Sequence, residues 1–193
     1  MNYNIYLLGS DINFLHTLAT QLTSSTNFNN IISLFEIKKT INSKKLSKHY
    51  LSKALFYEDI DNNFYKNNII IPEQKYDGND LNEFINHIRS YQREKLGIVC
   101  IVKSDWDNYI KEKNNIVKYY DRCKLIDNYY SADNLFDENN FNYFQNKLEY
   151  IYKNQLIVPI HKVFAGEDLY TATINFTDFC INNKLKFILN EEE

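Results

Sequence analysis

The chain opens with an apolar run that changes abruptly into a helical pattern of apolar and polar positions. Residues 3–9, YNIYLLG, are mostly apolar, which is typical of a strand buried on both faces of a sheet. After this run, apolar residues recur every three or four positions, at Ile12, Leu15, Leu18, Ala19 and Leu22. This spacing places them on one face of a helix, and Asp11 stands where it can cap that helix.

The same alternation continues along the chain. Short apolar runs predict further strands over residues 31–37, 68–72, 97–102 and 123–126, and helical spacing predicts helices over residues 46–55, 81–88, 106–113 and 136–152. The runs NIIIP and GIVCIV fit interior strands of a parallel sheet. Strands that alternate with helices predict an α/β fold, a three-layer α/β/α sandwich around a mainly parallel sheet.

The sequence changes character after residue 153. Two stretches of the last forty residues, LIVPIHKVFA (156–165) and LYTATINF (169–176), resemble strands, and the second alternates apolar and polar positions. We therefore predict an α/β domain over residues 1–153 and a β-rich C-terminal extension over residues 154–193 that packs on the same domain.

Polar side chains follow several of the predicted strands. In doubly wound sheets, ligands bind beyond the carboxyl ends of the strands, so the candidate ligand-binding residues are Ser10, Asp11, Glu73 and Ser104. None of the four glycines belongs to a GxGxxG or a GxxxxGK(S/T) pattern, which disfavours a phosphate-binding loop. Asp11 and Glu73 supply too few oxygen ligands for magnesium. We therefore expect Asp11 to be a helix cap, and we expect neither a metal nor a cofactor.

Composition narrows the classes of partner and compartment. The net charge of −3 lacks the basic field of a nucleic-acid-binding protein. The three cysteines are far apart in the sequence and form no CxxC pair, and the four histidines form no metal-binding pattern. No apolar run is long enough to cross a membrane, so we predict a cytoplasmic protein. The many tyrosines and phenylalanines have A/T-rich codons and indicate an AT-rich genome rather than a stacking surface.

The order and spacing of these elements resemble a response-regulator receiver domain over residues 3–152. The stretches IYLLGSDINFLHTLATQL, NNIIIPEQKYDGNDLNEFI, GIVCIVKSD and NLFDENNFNYFQNKLEYI correspond to its first strand and helix, third strand, fourth strand and last helix. The resemblance implies a flavodoxin-like strand order. It also implies two adjacent acids after the first strand, where this chain has Gly9 and Ser10. The phosphate-accepting aspartate would stand at Pro72, beside Glu73, and the hydroxyl after the fourth strand corresponds to Ser104.

These departures from the receiver pattern lead to the main functional prediction. A receiver fold without its phosphorylation residues implies a non-catalytic pseudo-receiver, a regulatory or assembly module that acts through a protein partner or as a homo-oligomer.

The alternative is a small enzyme that processes a nucleotide or nucleoside. Nucleoside deoxyribosyltransferases and Toll-receptor-like NAD hydrolases also open with an apolar strand and a polar loop. Each uses a glutamate near a strand end to act on a glycosidic bond. Glu73 or Glu58 would have this role here, because a carboxylate at the carboxyl end of a strand can act as a base or a nucleophile.

Overall fold

A computed structural model of the protein describes residues 3–26, 28, 30–33, 58, 60–63, 66–72, 86, 96–122, 132–154 and 158–183. In chain order its strands and longer helices are β1 (Tyr3–Gly9), α1 (Ile12–Ser25), β2 (Asn30–Ser33), β3 (Asn68–Ile71), β4 (Leu96–Lys103), α2 (Trp106–Lys111), α3 (Lys113–Arg122), α4 (Ala132–Leu135), α5 (Glu138–Asn154), β5 (Ile160–Phe164) and α6 (Leu169–Asn182). The helices predicted over residues 46–55 and 81–88 and the strand predicted over residues 123–126 lie wholly or almost wholly outside the described residues.

The five strands of the described residues form one sheet in which every pair of neighbours is parallel. The predicted α/β class and the parallel sheet are confirmed. β1 and β4 are paired along the whole of β1, from Tyr3 beside Leu96 to Gly9 beside Val102. β3, predicted from the run NIIIP, is buried at all four positions, as expected for an interior strand.

The strand order is β2-β3-β1-β4-β5. It differs from the order implied by the receiver resemblance, because a flavodoxin-like sheet has the order 2-1-3-4-5. Here β3 lies between β2 and β1. The strand that follows β1 in the chain, β2, is therefore not its neighbour in the sheet, and the next strand, β3, lies between the two. The spacing of apolar residues does not specify this strand order, because the order depends on which strand each crossover connection reaches.

Apolar residues of alternate strand positions form two buried clusters, one on each face of the sheet. Ile5 and Leu7 of β1 belong to the cluster that also contains buried residues of α1, α3 and α6. Tyr6 and Leu8 belong to the cluster that contains Phe144, Leu148 and Ile151 of α5. Helices therefore cover both faces, as in the predicted three-layer sandwich.

The C-terminal part corrects one prediction. Ile160–Phe164 is a strand that pairs with β4 at the edge of the sheet, but LYTATINF begins the helix α6. Asp168 caps this helix by accepting a hydrogen bond from the Thr171 backbone N–H. The hydroxyl of Thr173 donates to the Leu169 carbonyl and that of Thr177 to the Thr173 carbonyl. The threonines, which favour strands, are thus accommodated by the helical backbone, and only part of the extension is β-structure. The division of the chain at residue 153 stays a prediction.

Within the described part of the chain, no helix is long and apolar enough to span a bilayer.

Candidate functional site

β1 and β4 are neighbours in the sheet, and the chain continues from them toward opposite edges of the sheet. From β1 the chain proceeds to β2 on one side of the sheet, and from β4 it proceeds to β5 on the other. In open α/β sheets, such a switch point leaves a crevice at the carboxyl ends of the strands, where ligands bind. Ser10 follows β1 and Ser104 follows β4, so the structure brings these two predicted residues to one place.

Gln145 of α5 joins the two serines. Its side-chain amide nitrogen donates to the Ser10 hydroxyl at 2.9 Å, and its side-chain oxygen accepts from the Ser104 backbone N–H at 3.0 Å. The Lys103 ammonium donates to the Gln145 backbone carbonyl at 2.8 Å. Gln145 is buried, so these bonds couple the ends of β1 and β4 to α5 on one side of the crevice.

Asp11 lies on the other side of the crevice, at the start of α1. Its carboxylate accepts a hydrogen bond from the Phe14 backbone N–H at 3.1 Å, which confirms the predicted helix cap. The side chain is nearly inaccessible to solvent, with 7% of its residue surface exposed. Burial raises the pKa of Asp11 above the ordinary value, and the negative charge of Glu112 adds to this effect. The site thus contains a carboxyl group that holds its proton more tightly than a free aspartate does.

A cleft of about 470 Å³ opens beside Asp11 and is called the switch-point cleft below. Its walls come from the start of α1, from α2 with the following turn, and from the loop after β5. Among the residues that line it are Asp11, Phe14, Ser104, Lys111, Glu112 and Glu167. A volume of this size accommodates a small organic ligand.

The loop after β5 closes one side of this cleft. Gly166 has a φ of +90°, a conformation that side chains other than glycine rarely adopt. The turn is tied by two hydrogen bonds: the Glu167 backbone N–H donates to the Phe164 carbonyl at 3.1 Å, and the Phe164 backbone N–H donates to the Glu167 carboxylate at 2.9 Å. Glu167 is therefore held beside the cleft rather than extended into solvent.

Ser104 carries an unsatisfied hydroxyl at this site. Its side-chain oxygen is buried and has no hydrogen-bond partner among the described atoms. A buried polar atom without a partner costs free energy, on the order of 1–3 kcal/mol. A serine hydroxyl can rotate and can both donate and accept, and Ser104 is one of the residues that line the switch-point cleft.

Three of the four predicted ligand-binding residues thus surround one crevice. Ser10 and Ser104 contact Gln145, and Asp11 and Ser104 line the cleft. Glu73, the alternative catalytic residue, lies outside the described residues, and so the structure does not test its role. Glu58 is described only as an exposed helical residue.

Sequence reasoning missed Gln145, Glu112 and Glu167 as parts of the site. The Gly166-Glu167-Asp168 turn was recognisable in the sequence, but its position beside β1 and β4 depends on the strand order. Gln145 has no local signal, because a glutamine on a helix is ordinarily solvated. In the described ranges, no group of three His, Cys, Asp or Glu side chains is placed to hold a metal ion.

Comparisons with known proteins concern the fold alone. No family model matches the sequence, and no curated protein matches it. The structure is similar to that of a "putative kinase" from Chloroflexus aurantiacus, with a TM-score of 0.54 and 11% sequence identity over 92% of this chain and 98% of that chain. A deoxyadenosine kinase from M. mycoides with bound dATP has a TM-score of 0.48 and 14% identity over the same shares of the two chains.

These comparisons correct the main functional prediction. The fold that matches nearly the whole chain is that of a protein described as a kinase, and the strand order is not that of a receiver. The prediction of a non-catalytic, receiver-like regulatory module is therefore wrong. The expectation of a protein partner or a homo-oligomer stays a prediction.

Proposed function

We propose that this chain is a small enzyme that acts on a nucleoside or nucleotide bound in the switch-point cleft. The observation that carries the proposal is the convergence of Asp11 and Ser104 on one cleft at the carboxyl ends of β1 and β4. This is the place where open α/β sheets bind their ligands, and the fold is similar to that of a protein described as a "putative kinase", a class of enzyme that uses a nucleotide.

The chemistry of the walls suits a sugar and a base. Carboxylates such as those of Glu112 and Glu167 accept hydrogen bonds from the hydroxyls of a ribose. Phe14 lines the same cleft, and a base that stacks on an aromatic ring gains about 1–3 kcal/mol. Both kinds of contact are available within one cleft.

Asp11 is the candidate acid–base residue. A carboxyl group with a raised pKa in a cleft is a marker of functional sites, because it can retain a proton closer to neutral pH and release it to a substrate. The proposal assigns to Asp11 a proton transfer at the substrate, in addition to its role as the cap of α1.

Substrate binding and turnover test this proposal together. The purified chain is titrated calorimetrically with the common nucleosides and their 5′-phosphates, and is then incubated with each of them with and without Mg–ATP. Chromatography of the mixtures reports a released base or a new phosphate ester. We expect saturable binding of at least one compound and product formation that Asp11→Asn abolishes, because asparagine retains the cap but cannot transfer a proton.

The matched control is Asp105→Asn. Asp105 is also an N-cap, accepting from the Asn108 backbone N–H at 2.9 Å, but it is exposed and is not among the residues that line the cleft. This variant should retain turnover. Equal activity of the two variants, or the absence of binding by every compound, would contradict the proposal.

A further inference from the structure

The charged residues of the switch-point cleft are mainly acidic. Asp11, Glu112 and Glu167 line it, and among the lining residues described the basic side chain is that of Lys111. The acids come from three separate elements: the start of α1, the junction of α2 and α3, and the loop after β5. An anionic ligand in this cleft meets repulsion from the carboxylates of Glu112 and Glu167, which lie on two different elements, whereas hydroxyl and amino groups find acceptors.

The start of α1 is closed to an anion. Helix N-termini bind phosphates through free backbone N–H groups, but here the Asp11 carboxylate already accepts from the Phe14 N–H. Only Ser10 and Asp11 connect β1 to α1, which is shorter than the glycine-rich loop that surrounds a phosphate in the GxxxxGK(S/T) pattern.

The structural role of Gly9 differs from that of the glycines in a phosphate-binding loop. A Cβ atom at this position would lie 2.8 Å from the Val102 carbonyl oxygen and 3.4 Å from a methyl carbon of Leu15. The missing side chain therefore permits β1, β4 and α1 to pack closely, rather than permitting a ligand to approach the backbone.

Ser104 provides the independent sign of a ligand. Ser104 is one of the residues that line the cleft, and its buried hydroxyl oxygen has no partner in the described part of the chain. A neutral ligand group that both donates and accepts, such as a sugar hydroxyl, can satisfy it together with a neighbouring carboxylate.

We infer that the switch-point cleft admits the uncharged, hydroxyl- or amino-bearing part of its ligand and excludes phosphate, so that the substrate bound there is a nucleoside rather than a nucleoside 5′-phosphate. This inference rests on the proposed function and narrows its substrate class. It also implies that any phosphoryl group involved in the reaction lies outside this cleft.

Paired titrations test the inference directly. Each of the common nucleosides and its 5′-monophosphate are titrated into the full chain by calorimetry, at about 0.1 M and at about 1 M salt. We expect the monophosphate to bind about tenfold more weakly than its nucleoside at the lower salt concentration, because like charges brought together in a binding site repel. The ratio of the nucleoside affinity to the monophosphate affinity should decrease at the higher salt concentration, where the Debye length falls from about 10 Å to about 3 Å.

Glu112→Gln tests the effect of the negative charge in the cleft separately from other changes. Glu112 is exposed, so the substitution removes one negative charge from the cleft without emptying the core. We expect monophosphate affinity to rise about two- to fivefold and nucleoside affinity to stay equal or fall. Asp121→Asn, an exposed acid of α3 that does not line the cleft, should change neither.

The outcomes separate this inference from the proposal on which it rests. Tight binding of a monophosphate that exceeds binding of its nucleoside, unchanged by salt and by Glu112→Gln, overturns the exclusion of phosphate and leaves the proposed function standing. Failure of every nucleoside and every nucleotide to bind overturns the proposed function and the inference with it.

Discussion

The side-chain amide of Gln145 donates a hydrogen bond to the hydroxyl of Ser10, although the two residues are 135 positions apart in the sequence. The oxygen of the same amide accepts from the Ser104 backbone N–H. One buried side chain thus connects the ends of β1 and β4, the two strands that flank the switch point, to α5.

Removal of this amide should destabilise the fold. Gln145→Leu replaces the amide with an apolar side chain and leaves the Ser104 N–H without its acceptor, so we expect the free energy of unfolding to fall by about 1–3 kcal/mol. Urea denaturation measures the change. Asn146→Leu on the next, exposed position of α5 is the control and should alter stability by less than about 0.5 kcal/mol. Equal losses in the two variants would show that the bridge contributes nothing.

A second buried network lies at the other end of the sheet. Asn68 of β3 is fully buried, and its side-chain oxygen accepts from the Asn30 amide at 2.7 Å while its amide nitrogen donates to the Asn4 side-chain oxygen at 2.9 Å. These three asparagines are directly opposite one another in the register of β2, β3 and β1. They form a continuous row of amides across the amino ends of the strands.

The stability that this row of asparagines contributes should depend on Asn68, which bonds to both of the others. Asn68→Leu removes the acceptor of the Asn30 amide nitrogen and the donor to the Asn4 side-chain oxygen, and we expect a loss of at least about 2 kcal/mol in the free energy of unfolding. Thermal and urea unfolding measure it. The control, Asn114→Leu, replaces an exposed asparagine of α3. A stability of Asn68→Leu within experimental error of the wild type would refute the importance of the row.

The pH dependence of stability should show the burial of Asp11. Burial raises its pKa in the folded chain above the ordinary value of 3.8, so the folded state binds the proton more tightly than the unfolded state does. The contribution of Asp11 to stability therefore decreases as the pH rises from 3.8 through the raised value. Asparagine caps equally well and does not ionise, and so the stability of Asp11→Asn relative to the wild type should increase over this window. Urea midpoints between about pH 3 and pH 7 measure the difference.

Asp168 supplies a control of opposite sign. Hydrogen bonds from Thr171 lower the pKa of this cap of α6 below its ordinary value. Its contribution is present above pH 3.8 and is lost as the pH falls through the lowered value. Asp168→Asn should therefore become less stable relative to the wild type as the pH rises through that window. Parallel curves for the two variants would contradict the assignment for Asp11.

The close packing of β1 against β4 predicts that Gly9 tolerates no side chain. A Cβ atom there would meet the Val102 backbone oxygen at 2.8 Å, and a backbone atom in a paired strand cannot move aside. We expect Gly9→Ala to cost about 1–3 kcal/mol, measured by urea denaturation. The nearest atom to a Cβ at Gly97 would be a ring carbon of Tyr6 at 3.0 Å, and the nearest backbone atom would be 3.8 Å away. A side chain can shift where a paired backbone cannot, so Gly97→Ala should cost less. The reverse ranking would contradict this reasoning.

Features that depend on local spacing could be predicted from the sequence. The apolar residues predicted for the buried face of α1, Ile12 to Leu22, are those that the structure buries, and β1, β3 and β4 begin and end within a residue or two of their apolar runs. Asp11 caps α1 because capping requires only a short polar side chain immediately before the helix. The positions of Ser10 and Ser104 at one edge of the sheet followed from the parallel arrangement alone.

The neighbours of each element were decided only by tertiary structure. The insertion of β3 between β2 and β1 depends on which strand each crossover reaches, and many residues separate the strands that pair. Residues 169–176 have the composition of a strand, yet they form a helix, because Ala172 and Phe176 lie four positions apart and both pack into the core on the α1 face of the sheet. Burial outweighs a local preference of about 1 kcal/mol. Gln145 and Glu167 join the site for the same reason: their roles come from contacts with distant residues, which no short stretch of sequence encodes.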